Sequence, residues 1–367
     1  MKALALKYRP QTFEDVVEQG VVVKILQDQI KNKTHDNSYL FTGGAGTGKT
    51  TVARILATQI NKGKGNPIEI DAASNNGVND VRQIIDDAQF KSLNSEYKVY
   101  ILDECHMFSI GAWNALLKIL EEPPAKTIFI LCTTDPQKIP ATILSRVARY
   151  DFKRITFEGI VERLRTIIER ENQDIITSNR GSQDAHIDAN WAEKEEIDLI
   201  RYQDDSLEYI AKIADGGMRD AITLLDKCLS YSNDLSMENI LKSLGTVDYD
   251  IMFKLSHAII NSDTSSIIEI IETTYNNGID LKQFIKQYSH FLLDLNKYFI
   301  IEDFRYIKIP ITYKDDIDEL QLYIKDIEQL NYLLEFIINL NNELKWETSP
   351  KQLIEASLLI LALKGAE

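Results

Sequence analysis

Residues 39–52 read Tyr39-Leu40-Phe41-Thr42-Gly43-Gly44-Ala45-Gly46-Thr47-Gly48-Lys49-Thr50-Thr51-Val52. Four strand-forming residues run into a glycine-rich loop, and the loop runs into a helical pattern that continues to Asn61. The loop Gly43 to Thr50 fits the spacing GxxxxGK[ST] in full. Glycines there let backbone N–H groups turn inward around phosphate oxygens, and the following helix points its positive end at them. Lys49 is placed to reach the β- and γ-phosphates of a nucleotide, and the Thr50 hydroxyl to bind Mg²⁺. The plain alternative is a glycine-rich turn with no ligand, and the complete pattern in its strand–loop–helix setting outweighs it.

Around this loop, short apolar runs alternate with longer amphipathic stretches over the first 150 residues. That alternation predicts a parallel sheet flanked by helices, a doubly wound three-layer α/β domain. The expected strands are 39–42, 68–71, 99–102, 128–132 and 150–152, with helices at 52–61, 78–90 and 110–120. Pro123-Pro124 stops the last of these.

A second motif should accompany the first. The apolar run Val99-Tyr100-Ile101-Leu102 ends in Asp103-Glu104. At a strand tip, Asp103 would hold Mg²⁺ and Glu104 would orient and deprotonate the attacking water. His106 reads as a local hydrogen-bonding neighbour rather than a catalyst. Thr133-Thr134 ends the strand 128–132, where a hydroxyl could sense the γ-phosphate. Ser145-Arg146 closes a helix before the last strand, an exposed position for an arginine finger offered to a neighbouring subunit. Arg219, after Gly216-Gly217, opens a helix from which it could reach the nucleotide.

Beyond Thr156 the strand signals fade. Thr156 can cap a helix to about residue 171, with Glu158 in its first turn. Residues 172–205 are polar and read as an exposed insertion or connection, with helix around 191–201. Helical spacing resumes at Ser206, breaks at Gly216-Gly217 and restarts over 218–231. From Ser236, nearly everything reads helical. Residues 353–363, after Ser349-Pro350, are almost wholly apolar, which predicts a buried helix in a bundle or oligomer collar. The expected division is therefore 1–154, a nucleotide-binding domain; 155–233, a helical lid carrying the polar insertion; and 234–367, a helical collar.

Composition sets the class. Of 367 residues, 44% are hydrophobic and 26% charged, as in an ordinary globular protein. No apolar run is long enough to span a bilayer. The cysteines Cys105, Cys132 and Cys228 are widely spaced, with no CxxC pair, which fits a reducing cytoplasm. The net charge of −15 is unevenly spread: about 20 basic and 17 acidic residues up to Arg154, then about 21 and 39. Any nucleic-acid surface is therefore expected on the first part.

With these pieces together, the chain resembles the clamp-loader AAA+ ATPases of bacterial replication, the gamma/tau family of DNA polymerase III. The matching segments are KYRPQTFEDVVEQ (7–19), the phosphate loop, EIDAASNNGVNDVR (69–82), KVYILDECHM (98–107), NALLKILEEPP (114–124), TTDPQKIPATILSR (133–146) and GGMRDAITLLD (216–226). The resemblance implies that Tyr8, Arg9 and Pro10, with Val16 and Val17, pack around adenine and ribose. It implies ATP contacts from Gly43, Gly44, Ala45, Gly46, Thr47, Gly48, Lys49, Thr50 and Thr51. Thr134 takes the first sensor position, Arg219 the second, and Arg146 the trans-acting finger. Ser74, Asn75, Asn76, Gly77 and Arg82 are similar to the face that tracks primer–template phosphates, a grip that reads no bases.

Departures from the family are also legible. Where cellular relatives usually carry a cysteine-rich zinc module, residues 61–67 form a short basic turn, so no zinc is expected. A compact form without a tau-type tail after the collar is therefore expected, of a kind that could belong to a reduced or virus-encoded replication system. The resemblance implies an ATPase that is a component of a DNA-directed DNA polymerase holoenzyme but not itself the polymerase. The implied partners are other clamp-loader subunits in a pentameric ring (homo- or hetero-oligomeric), a sliding clamp and primer–template DNA, with no membrane. The implied location is the cytoplasm of a bacterial or phage-infected cell. Read with Arg146, the loop is half of a site, so the isolated chain should bind nucleotide but hydrolyse it poorly. The rival reading is an AAA+ helicase or branch-migration motor. A switch that binds ATP without hydrolysing it is disfavoured by Glu104.

Overall fold

The computed structural model describes residues 3–183, 198–245, 249–324 and 326–364. The chain forms two compact units, Met1–Ile200 with Ile210–Asn233, and Arg201–Tyr209 with Asp234–Glu367.

In the first unit, five strands form one parallel sheet: β1 (Ser38–Gly43), β2 (Ile68–Asp71), β3 (Lys98–Asp103), β4 (Thr127–Thr133) and β5 (Ala148–Phe152), in the order β2-β3-β4-β1-β5. Every residue of β4 is buried, as a central strand covered on both faces must be. Helices α1 (Leu4–Lys7), α2 (Gly20–Asn32), α3 (Lys49–Ile60), α4 (Val78–Ala88), α5 (Ile110–Glu121) and α6 (Ala141–Leu144) connect and flank the strands. Alternate strand residues point to opposite faces, and two cores result. Tyr39, Phe41, Ile101 and Ile130 pack with Leu26 of α2 and Leu56 of α3 on one face. Leu40, Tyr100, Leu102 and Phe129 pack with Ile84 of α4 and Leu116 of α5 on the other. The three-layer α/β expectation is met, each strand lying within two residues of its expected bounds.

Helix α7 (Phe157–Gln183) runs twelve residues past the expected stop. Its polar second half is held by specific contacts. Lys7 of α1 reaches Glu171 and Asp174 at 2.8 and 2.7 Å. The Asn172 amide exchanges two hydrogen bonds with the Ile200 backbone, at 3.0 and 2.8 Å. These long-range ties outweigh the weak local pattern. The expected helix around 191–201 falls mostly outside the described residues, and Arg201 lies in a strand. Helix α9 (Met218–Tyr231) completes the unit, following α8 (Asp204–Ala214).

The second unit pairs two short strands, β6 (Arg201–Tyr202) and β7 (Asp234–Leu235), in parallel. Its other described elements are mainly helices: α10 (Met237–Leu244), α11 (Tyr249–Ile260), α12 (Thr264–Asn276), α13 (Leu281–Ile301), α14 (Lys314–Tyr323), α15 (Ile327–Glu343) and α16 (Pro350–Lys364). Phe284, Tyr288, Leu292 and Leu295 of α13 lie buried, as do Leu333, Ile337 and Leu340 of α15. The inward Tyr288 hydroxyl is satisfied at 2.9 Å by Ser256, as a buried polar group requires. Helix α16 is only partly the buried helix expected from its composition. Ile354, Leu358 and Leu361 are buried, but Ile360 and Leu363 are 49% and 60% exposed. In a single chain, one face of the helix is covered and the other is not.

Candidate functional site

Parallel strands all end on one edge of a sheet, and in open α/β folds ligands collect there. At that edge lies a cavity of about 290 Å³ walled by the phosphate loop, Asp103, Glu104, the N-terminal segment and the start of α9.

The loop holds its shape through its own bonds. Thr47 Oγ1 donates to the Gly44 carbonyl at 2.9 Å. Lys49 Nζ donates to the carbonyls of Gly43 and Gly44 at 2.9 and 2.7 Å. Lys49 is 6% exposed, and burial pushes its pKa down while the charges of Glu104 and Asp103 oppose that shift. Two positions require glycine. At Gly43, φ is 150° and a Cβ would sit 2.4 Å from the Phe152 carbonyl oxygen. At Gly46, φ is 69° and a Cβ would meet the Cα of Gly217 at 3.0 Å. The loop is therefore pressed between β5 and the start of α9, and Met218 N–H donates to the Gly46 carbonyl at 3.1 Å. Gln19 adds a buried tie, its amide bonding Lys153 O at 2.8 Å and Thr47 O at 3.4 Å.

The two carboxylates after β3 have different surroundings. Asp103 Oδ2 accepts from Thr50 Oγ1 at 2.9 Å, a pairing of hard oxygen donors that fits Mg²⁺. Glu104 has left-handed backbone, with φ at 45°. Its Oε2 accepts from Thr134 Oγ1 at 2.9 Å and from Thr134 N–H at 3.3 Å. Strand order explains the meeting, because β4 lies between β1 and β3 and delivers Thr134 beside both. His106 Nδ1 is hydrogen-bonded to Thr133 Oγ1 at 3.1 Å and lies 3.3 Å from Glu104 Oε2, so it is a local hydrogen-bonding residue beside the carboxylate.

Tyr8, Arg9, Pro10, Val16 and Val17 also line the cavity, with Arg219 at the first turn of α9. The loop residues Ala45 to Thr51 and both carboxylates line the same space. Gly43 and Gly44 sit behind it, and Thr134 reaches it through Glu104. Arg146 lies outside the cavity. Its Nη1 donates to Thr142 O at 2.6 Å and its Nε is 3.3 Å from Glu121 Oε2. Ser74, Asn75, Asn76 and Arg82 are exposed and Gly77 is half-buried. Asp71 takes hydrogen bonds from the side chains of Ser74 and Asn75, and Asp80 takes the Gly77 N–H at 3.0 Å.

Sequence reasoning missed Ala5, Ile155, Arg163, Met218, Asp220 and Ile222, all of which line the cavity. Met218, Asp220 and Ile222 fall within the segment 216–226 that carries the resemblance, and Arg163 had a signal of its own. It lies three residues after Ile160 and four before Ile167, on the apolar stripe of α7.

Comparison with known proteins bears on the same segments. Residues 68–156 match the family model described as DNA polymerase III, delta subunit, and residues 193–234 match DNA polymerase III clamp loader subunit, ATPase lid domain. The chain is 36% identical to DNA polymerase III subunit tau of Bacillus subtilis, over 98% of its own length and 62% of the relative's. It is 32% identical to DNA polymerase III subunit gamma of Buchnera aphidicola subsp. Baizongia pistaciae, over 72% of its own length and 70% of the relative's. The chain thus spans less than two thirds of the Bacillus relative. The solved Holliday junction branch migration motor RuvB of Thermotoga maritima overlays at a TM-score of 0.48 and 17% identity, over 74% of this chain and 86% of that one. That likeness is too loose to decide anything. The sequence matches are not: the chain belongs to the DNA polymerase III gamma/tau family.

Proposed function

We propose that this chain is an ATP-driven clamp-loader subunit of a replicative polymerase holoenzyme. The observation that carries the reading is the convergence of Lys49, Thr50, Asp103, Glu104 and Arg219 on one cavity, in a chain of this family. Lys49 exchanges its loop carbonyls for the β- and γ-phosphate oxygens of ATP. Thr50 and Asp103 hold Mg²⁺, which when bound neutralises phosphate charge. Glu104 takes a proton from water as the water oxygen bonds to the γ-phosphorus. The bond from that phosphorus to the β–γ bridging oxygen breaks, giving ADP and phosphate. Thr134, already bonded to Glu104, positions that carboxylate.

Arg146 lies outside its own chain's cavity, which supports a role in a neighbouring subunit's site. Residues 155–233 act as a lid that brings Arg219 to the nucleotide, and residues 234–367 as the collar that joins subunits, with the exposed side of α16 available for it. Ser74 to Gly77 and Arg82 face primer–template phosphates, and ATP turnover opens and releases a sliding clamp in the cytoplasm.

The test is clamp loading and DNA-stimulated ATPase in the complex reconstituted with its partner subunits. Arg146→Ala should lower stimulated turnover by about 10³–10⁵. Turnover within a few-fold of wild type would remove the trans finger. Strand displacement without clamp loading would favour the helicase reading instead.

A further inference from the structure

One cation in the cavity wall has no part in the phosphate chemistry. Arg163 projects from the apolar stripe of α7 and is half-buried, and its Nη2 donates to the Tyr8 carbonyl at 3.1 Å. Among the described residues that is its one hydrogen bond, and it forms no ion pair there. Burial lowers its pKa, the nearby Arg170 charge adds to this, and Asp15 opposes it. A guanidinium offers five N–H donors in a rigid fork. A half-buried one that spends a single donor on the protein is costly unless something else accepts.

The bond it does make has a particular target. Tyr8 is buried, and with Arg9, Pro10, Val16 and Val17, none of them part of the phosphate loop, it lines the same cavity as Lys49. Without Arg163, that segment is anchored upstream, where Leu4 N–H bonds Asp226 at 3.1 Å and Lys7 pairs with Glu171 and Asp174. The side-chain bonds of Thr47 and Lys49, by contrast, all stay within the loop.

We propose that Arg163 is a positioning residue for the nucleoside part of the nucleotide. Resting on the ATP reading above, it fixes the Tyr8–Pro10 backbone through the Tyr8 carbonyl and offers its remaining donors to the base and ribose acceptors. It governs affinity for adenosine and leaves phosphate binding alone.

The experiment titrates the full chain, in Mg²⁺, with ATP and separately with inorganic tripolyphosphate, for wild type, Arg163→Ala and Arg163→Lys. Loss of a charge-assisted hydrogen bond predicts about tenfold weaker ATP binding in Arg163→Ala, with tripolyphosphate affinity within twofold of wild type. Arg163→Lys, which keeps one donor for Tyr8, should fall between the two. A purely structural role would weaken both ligands together. That result, or unchanged ATP affinity in Arg163→Ala, overturns the inference while leaving the ATP reading intact. Wild type that binds neither ligand overturns both.

Discussion

The phosphate loop and the rest of the cavity wall are built on different plans. Gly43 to Thr50 form one continuous loop, and its neighbours Asp103 and Thr134 stand at adjacent strand tips of the sheet. The side-chain bonds of Lys49 are local, to carbonyls five and six residues back. Apart from the loop and its carboxylates, the wall is drawn from Ala5 to Val17, from Ile155 and Arg163, and from Met218 to Ile222, and its ties span as much as 222 positions, as from Leu4 to Asp226. A chain-local site keeps its geometry while the sheet stands. A wall drawn from three distant segments depends on how α7 and α9 sit on the core of their unit, so it can respond when they shift.

The difference can be broken from either side. Lys49→Ala removes a buried cation from the phosphate loop. It should abolish tripolyphosphate binding and lower ATP turnover by about 10³, the scale of losing a preorganised electrostatic contact. Survival of tripolyphosphate binding would mean that the loop is not the anchor. Met218→Pro tests the junction. Proline is tolerated at a first helical position, and the change deletes the N–H that the Gly46 carbonyl accepts together with the side chain that lines the cavity. About 1 kcal/mol is expected, a several-fold loss of ATP affinity. Equal losses for ATP and tripolyphosphate would show that the lid helix shapes the loop itself, and loss for ATP alone that it shapes only the wall.

The smallest effect should come from outside both. Asp87 of α4 accepts from Tyr100 Oη at 2.5 Å and pairs with Lys98 at 2.9 Å, and the tyrosine bond, then the lysine, holds its pKa below the ordinary carboxylate range. A depressed carboxylate contributes stability above its unfolded pKa of about 3.9, and loses it as pH falls through the lower folded value. The carboxylate is half exposed, so Asp87→Asn should cost less than about 1 kcal/mol at pH 7, as for surface pairs. Denaturant titration at pH 7 and at pH 2.5 should show the difference from wild type shrinking at acid pH. ATP affinity should not move.

The same contrast explains what the sequence disclosed. The phosphate loop, Asp103-Glu104 and the five strands were legible because each is a local pattern with a steric or electrostatic reason. Tyr8, Arg9, Pro10, Val16 and Val17 came through family resemblance, since nothing in their spacing points to a ligand. Ile155 and Ile222 were not found because an isoleucine lining a cavity looks like any other in a core. The second half of α7 was missed because its support, Lys7 and the Ile200 backbone, lies far along the chain. In the helical unit, periodicity gave the helices but could not say which side of α16 is covered. Two-residue strands such as β6 and β7 carry no periodic signal at all.

Glu104 is the residue on which the central claim turns, since it separates binding from hydrolysis. The direct measurement is steady-state ATP turnover beside equilibrium ATP binding, for wild type and Glu104→Gln, in the reconstituted complex with primed DNA and clamp. Loss of the general base should cut turnover by about 10²–10⁴ with ATP affinity within a few-fold of wild type. Turnover equal to wild type in Glu104→Gln would contradict the account.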